Sequence, residues 1–154
     1  MNYKDNYSQR KREIAVDVAK HHFYKHKNFV RSFGFNTDEA IPIHTFMKFP
    51  RVIRKMPDFM YVDQGKFYFS EVKGCHDILR LKIEDIKDYY WWHVNVKEAT
   101  VMLFIYSTKL DKFIEISLEH VCDLIKKNKE VYKFKEYPDN NKKYVEIPIE
   151  DIFV

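Results

Sequence analysis

The chain has 154 residues, 45% of them apolar, including 13 Phe and 11 Tyr. That is enough to bury a real core and argues against global disorder. The net charge is only +4 and the pI is near 8.9, which is compatible with a nucleic-acid partner without demanding one. The two cysteines, Cys75 and Cys122, are too far apart for a zinc or iron–sulfur motif and make no disulfide framework. The polar, charged stretch Met1 to Arg12 is unlike a signal peptide. No apolar run approaches the roughly 18–20 residues that span a bilayer. A single domain over residues 1–154 is expected, cytoplasmic and without a membrane partner.

In chain order, Lys4 to His26 lacks Pro and Gly and carries Ile14, Ala15, Val18, Ala19 and Phe23 at helical spacing. Lys27 to Thr37, with Gly34 and Asn36, reads as a loop or short strand. Ala40 to Phe49 alternates loosely through Ile41, Ile43, Thr45, Met47 and Phe49, and predicts a first strand despite Pro42. Arg51 to Lys55 is a basic approach segment. Two aromatic-rich runs then flank Gln64-Gly65, where Gly supplies the positive φ of a tight hairpin turn. Ile78 to His93 predicts a second helix, with Leu79, Ile83, Ile86 and Tyr90 on one stripe. Ala99 to Tyr106 is continuously apolar, as in a strand buried on both faces. Phe113 to Ile116 is a further short strand. Ser117 is placed to cap a helix whose core stripe is Leu118, Val121, Leu124 and Ile125. Beyond Val131, two strand-like runs flank the turn Pro138-Asp139-Asn140-Asn141. The order α-β-β-β-α-β with a small C-terminal α-β extension predicts an α/β domain, a mixed sheet flanked by helices. The core covers about 9–106 and the extension 107–154.

With Gln64-Gly65 as the loop, Asp63 faces Lys66, Val62 faces Phe67 and, counting back, Asp58 faces Glu71. Residues directly opposite have Cβ atoms about 4.5–5.5 Å apart. Glu71 and Lys73 share a face. The open end of the hairpin therefore gathers two carboxylates and one ammonium. Each residue alone reads as turn chemistry or a solvated strand face. Together they form an apolar face, Phe67 and Phe69, that turns abruptly charged opposite another carboxylate, which is costly to bury uncompensated. Two hard oxygen ligands suit Mg²⁺ or Mn²⁺.

Pro57-Asp58 followed by Glu71-Val72-Lys73-Gly74 resembles the signature of the PD-(D/E)XK nuclease superfamily, with closer similarity to small virus-type replication-repair nucleases and Holliday-junction resolvases. The resemblance covers roughly Gln9 to Tyr106 and implies a restriction-endonuclease-like core. It implies that Asp58 and Glu71 bind a catalytic Mg²⁺ (or Mn²⁺), with the Val72 carbonyl joining, and that Lys73 orients or deprotonates the attacking water. Many members also place a glutamate on the first helix facing the metal; Glu13 is the candidate here and Asp17 the weaker rival. The glutamine that several relatives carry on the helix after the lysine strand is missing; Lys82 or Asp85 is left to take that place. The implied activity is metal-dependent hydrolysis of DNA phosphodiester bonds by an endonuclease, structure-specific or restriction-like, of phage or mobile-element type, acting as a homodimer on branched or duplex DNA. The alternatives are a catalytically silent DNA-binding or assembly protein on the same fold, and an RNA-processing nuclease.

Other groups weigh less. Arg51, Arg54, Lys55, Lys82 and Lys87 are candidates for phosphate contacts. His22 and His26 stand at i, i+4 without a Glu-x-x-His companion, and read as surface or core-edge residues. Cys75 and His76, adjacent in sequence, have poor geometry for nucleophilic catalysis. Tyr89-Tyr90-Trp91-Trp92 reads first as helix packing and second as a base-stacking surface.

Overall fold

The computed structural model describes residues 3–34 and 41–154, with side chains from residue 9 onward. Helix α1 (Tyr3–His26) brings Ala15, Ala19 and Phe23 to one face at i, i+4 spacing, all fully buried. Strand β1 (Phe29–Ser32) follows, then two single-turn helices, α2 (Ile43–Phe46) and α3 (Arg51–Arg54). Each of these begins directly after a proline, Pro42 and Pro50, whose carbonyl accepts the first turn's N–H groups.

Strands β2 (Phe59–Asp63) and β3 (Lys66–Cys75) form the expected hairpin, in the expected register from Asp63↔Lys66 to Phe59↔Ser70. Both loop residues have positive φ, 49° at Gln64 and 74° at Gly65, which matches the twist of the flanking strands. After β3 come strand β4 (Ile78–Lys82), helix α4 (Ile83–Asn95), strands β5 (Ala99–Ser107) and β6 (Lys112–Ser117), and helix α5 (Leu118–Lys127). The Ser117 hydroxyl caps α5 by accepting from the His120 N–H at 3.1 Å. Strands β7 (Lys133–Glu136) and β8 (Lys143–Pro148) and the short α6 (Ile149–Ile152) complete the chain.

The main sheet has the order β1-β2-β3-β5-β6. It is mixed: β3 and β5 run parallel, the other pairs antiparallel. Helix α1 covers one face through Val72, Phe59, Tyr61 and Phe104. Helix α4 covers the other, where Trp92 meets Phe69 with ring centroids 5.2 Å apart. A second sheet, β4-β8-β7, turns Leu79, Leu81, Val145 and Ile147 into the same core as Leu103, Ile105 and Leu118.

Three predicted elements differ. Residues 41–49 form no strand; Pro42 starts α2 instead, and Ile43 and Met47 stay exposed rather than filling a sheet face. Ala40, the start of that predicted strand, lies outside the described residues. The first strand is β1, within the segment read as loop or short strand, whose residues 35–37 are likewise outside the description. The predicted helix from Ile78 begins only at Ile83. Leu79 and Leu81 are buried between exposed Ile78, Arg80 and Lys82, a strand period that the helical stripe obscured. The C-terminal run does not extend the main sheet; β8 pairs with β4 and β7.

Candidate active site

The β2–β3 ladder stops at Phe59↔Ser70, so Asp58 stands across from Glu71 one step beyond it. Both carboxylates are buried, Asp58 at 2% exposure and Glu71 at 6%. Asp58 Oδ2 accepts from the Val72 N–H at 2.9 Å. The N–H and C=O of one strand residue point to the same edge, so the Val72 carbonyl also faces the edge that β2 has vacated. Lys73 Nζ lies 3.3 Å from Glu71 Oε1. The hairpin mouth thus gathers Asp58, Glu71, Val72 and Lys73.

Tertiary contacts add Tyr89 and Arg12, which the sequence did not single out, and Asp85, which it left with Lys82 to take the place of the missing glutamine. The Tyr89 hydroxyl, from α4, donates to Glu71 Oε1 at 2.7 Å. Asp85, one turn earlier on α4, reaches Lys73 Nζ at 3.7 Å and Lys55 Nζ at 3.5 Å. Arg12, from α1, brings its guanidinium 3.9 Å from Asp58 Oδ1. The helix can come this near because β3 has a glycine beneath it. A Cβ on Gly74 would lie 2.4 Å from the Lys11 carbonyl oxygen.

Glu13 is not brought into this group. It points to solvent from the opposite face of α1 to Ala15, and accepts from the Gln9 amide at 3.2 Å. Two residues along a helix turn a side chain by about 200°, so with Ala15 inward Glu13 faces away. Asp17 is exposed for the same reason. Among the described residues no third His, Cys, Asp or Glu joins Asp58 and Glu71 in a metal-ligand group.

Electrostatics follow from burial. Desolvation, and then the Asp58 charge, push the Glu71 carboxyl up to about 7 against the opposing pull of Lys73 and Tyr89. Burial works to lower the Lys73 pKa, but the charges of Glu71, Asp85 and Asp58 outweigh it and the net shift is upward. Lys73 is therefore held as a cation. Burial first, then the charges of Glu71 and Asp85, raise the Tyr89 phenol well above its ordinary value, so it stays a donor. Two buried carboxylates side by side, one with a strongly raised pKa, leave negative charge that a hard divalent cation would offset, and Asp58, Glu71 and the Val72 carbonyl are the oxygen donors to hold it.

Glu71, Val72, Lys73 and Arg12 line a cleft of about 550 Å³, with eight Arg and Lys side chains against three carboxylates. The predicted phosphate contacts Arg54, Lys55 and Lys82 all line it, and so does Arg51, which forks onto Asp88 with two 3.0 Å hydrogen bonds. Lys87 does not. His22 is far from this site in the fold, bound to Glu115 Oε2 at 3.1 Å, and Cys75 is buried against the Tyr106 carbonyl. Trp92 is core, whereas Tyr90 and Trp91 are about half exposed. Among the described residues no helix is long and apolar enough to cross a membrane.

No family model matches this chain, and no curated protein matches it. Among solved structures, it is similar to a nuclease from a fusselovirus. The TM-score is 0.56 at 12% identity, over 94% of this chain and 84% of that one. The α/β fold described above, with a five-stranded mixed sheet flanked by helices, is thus the fold of a known viral nuclease.

Proposed function

We propose that the chain is a divalent-cation-dependent nuclease of the PD-(D/E)XK type that hydrolyses phosphodiester bonds in DNA. The observation that carries this reading is the buried pair Asp58 and Glu71, with Lys73 3.3 Å from Glu71, and Glu71 and Lys73 lining a cationic cleft. The shared fold with a viral nuclease supports it. A bound Mg²⁺ or Mn²⁺ would lower the pKa of a water and offset charge growing on the phosphate. Asp58, Glu71 and the Val72 carbonyl would hold it. Lys73, kept cationic by its neighbours, donates to the attacking water or the phosphate oxygen and neutralises charge there. Tyr89 and Asp85 hold Glu71 and Lys73 in place. Arg54, Lys55 and Lys82 draw the backbone into the cleft.

A second reading, a DNA-binding or assembly protein without catalysis, is favoured by two contacts. Arg12 beside Asp58 and Lys73 beside Glu71 supply a cation to each carboxylate from within the chain. The two readings part in one assay. Supercoiled, branched and single-stranded DNA are incubated with wild type, Asp58→Ala and Lys73→Ala in Mg²⁺ or Mn²⁺ and in EDTA. Cleavage by wild type that needs the metal and is lost in both variants supports the nuclease. Equal inertness of all three on every substrate sinks it. Preference for branched DNA identifies a structure-specific enzyme. Light scattering of the same sample tests the homodimer, in which two active sites would face the two strands of a duplex.

A further inference from the structure

We infer that the outer face of the small sheet β4-β8-β7 is a binding surface for the phosphate backbone of the nucleic acid, extending the cleft on one side of the scissile bond; this rests on the nuclease reading. Cross-strand partners point to the same side of a sheet. The inward rows are Leu79↔Ile147 and Leu81↔Val145, all buried. The outward rows are therefore Arg80↔Glu146↔Lys133 and Lys82↔Tyr144↔Lys135. All four basic residues in those rows are exposed.

Neutralising Glu146 explains part of this face. Lys135 Nζ lies 2.8 Å from its carboxylate and Arg80 Nε 3.9 Å away. One carboxylate cannot balance four cations. The face keeps a surplus of three positive charges, in a chain whose whole net charge is +4. That surplus is not spread over the surface, and it is continuous with the cleft, because Arg80 and Lys82 line both. Tyr137 also lines the cleft, packed at a tilt of 32° against Tyr144 with ring centroids 4.3 Å apart and with the Lys82 ammonium over its ring. An aromatic edge among cations suits a nucleic-acid strand better than an acidic protein. Five residues of β4 extend about 17 Å, which spans about five nucleotides at a rise of 3.4 Å per nucleotide.

The test uses Lys82→Gln/Lys133→Gln, which spares both partners of Glu146. Binding of fluorescein-labelled single-stranded and duplex DNA is followed by anisotropy in EDTA, where metal-dependent cleavage cannot intervene, across a salt series. Wild type is expected to bind with a steep salt dependence. The double variant should bind about tenfold more weakly, with the slope of log K against log salt reduced by nearly two. Lys126→Gln/Lys127→Gln, on α5, should match wild type. Lys133→Gln alone, whose side chain makes no ion pair among the described residues, should lower the slope by about one, a check against loss of folding in the double variant. Unchanged affinity and slope in the double variant, an equal loss in the α5 control, or no DNA binding by wild type would each overturn the inference. The nuclease reading is scored separately on the same proteins in Mg²⁺ or Mn²⁺. Cleavage that persists while the slopes stay unchanged sinks only the sheet surface. Binding through this face with no cleavage of any substrate sinks only the nuclease.

Discussion

The Tyr89 hydroxyl donates to Glu71 Oε1 at 2.7 Å, across the join between α4 and β3. The two residues are 18 positions apart in the chain and meet because Trp92, one turn further along α4, packs on Phe69, two residues before Glu71. Core packing thereby sets the aim of the Glu71 carboxylate. Tyr89→Phe keeps the ring and removes the donor. A hydrogen bond to a charged group contributes about 1.5–3 kcal/mol, so a loss of roughly 2 kcal/mol is expected in EDTA at pH 8, and a smaller loss at pH 5, where Glu71 is protonated. Urea unfolding at the two pH values measures this. Equal losses at both would show that the hydroxyl does not serve the charged form.

Glu71 gives the metal-free protein a pH dependence of defined sign. Its folded pKa, about 7, lies above the usual 4.5, so between those values the folded chain holds a proton that the unfolded chain has released. Stability from this group is full below pH 4.5 and is lost as pH rises through about 7. The whole change is worth roughly 3 kcal/mol at 1.36 kcal/mol per pKa unit. Glu71→Gln should flatten the stability curve over that window and make the metal-free protein more stable than wild type at pH 8. Parallel curves for the two proteins would refute the assignment.

Arg12 and a divalent cation would occupy the same electrostatic space beside Asp58. Replacing the guanidinium in Arg12→Gln removes repulsion toward the ion and attraction toward a phosphate. Mg²⁺ or Mn²⁺ affinity, read by calorimetry without DNA, should rise several-fold, since even a partly solvated charge within about 6 Å contributes of order 1 kcal/mol. DNA cleavage at saturating metal should fall about tenfold. A variant with unchanged metal affinity would remove Arg12 from the site.

Gly74 sets how closely α1 lies on β3. In Gly74→Ala the new methyl carbon would meet backbone, 2.4 Å from the Lys11 oxygen and 2.8 Å from its carbonyl carbon, and neither can swing aside. Overpacking of this kind costs about 1–3 kcal/mol, and here α1 must shift and carry Arg12 with it. Gly65→Ala, in open space but at φ 74°, should cost about 1 kcal/mol from backbone conformation alone and leave metal affinity unchanged. Denaturant unfolding and metal titration of the two variants together separate a site effect from a general loss of stability.

Much of the site was legible from residue order because a two-residue hairpin is a local object. Gln64-Gly65 determines the turn, the turn determines the register, and the register sets Asp58 opposite Glu71 with Lys73 two residues on. The same locality made β5, the Ser117 cap and the α5 core stripe readable. Where two periods competed, order alone failed. Ile78 to Lys82 sits before a true helix and shares apolar residues with its stripe, and only pairing with β8 makes it a strand. Glu13 was singled out by residue type on α1, but the rotation of a helix about its axis is set by what it packs on. Ala15, Ala19 and the gap above Gly74 turn Glu13 outward and Arg12 inward. Tyr89 and Asp85, on α4, likewise reach Glu71 and Lys73 only across an interface between elements. Residue order alone specifies the hairpin and the carboxylates at its mouth, through turn geometry and a two-residue period. Only packing between distant elements settles which helix residues complete the site and that β4, with Tyr137 and Lys142 of the β7–β8 turn, walls its cleft, because helix rotation and strand partnership depend on partners far away in the chain.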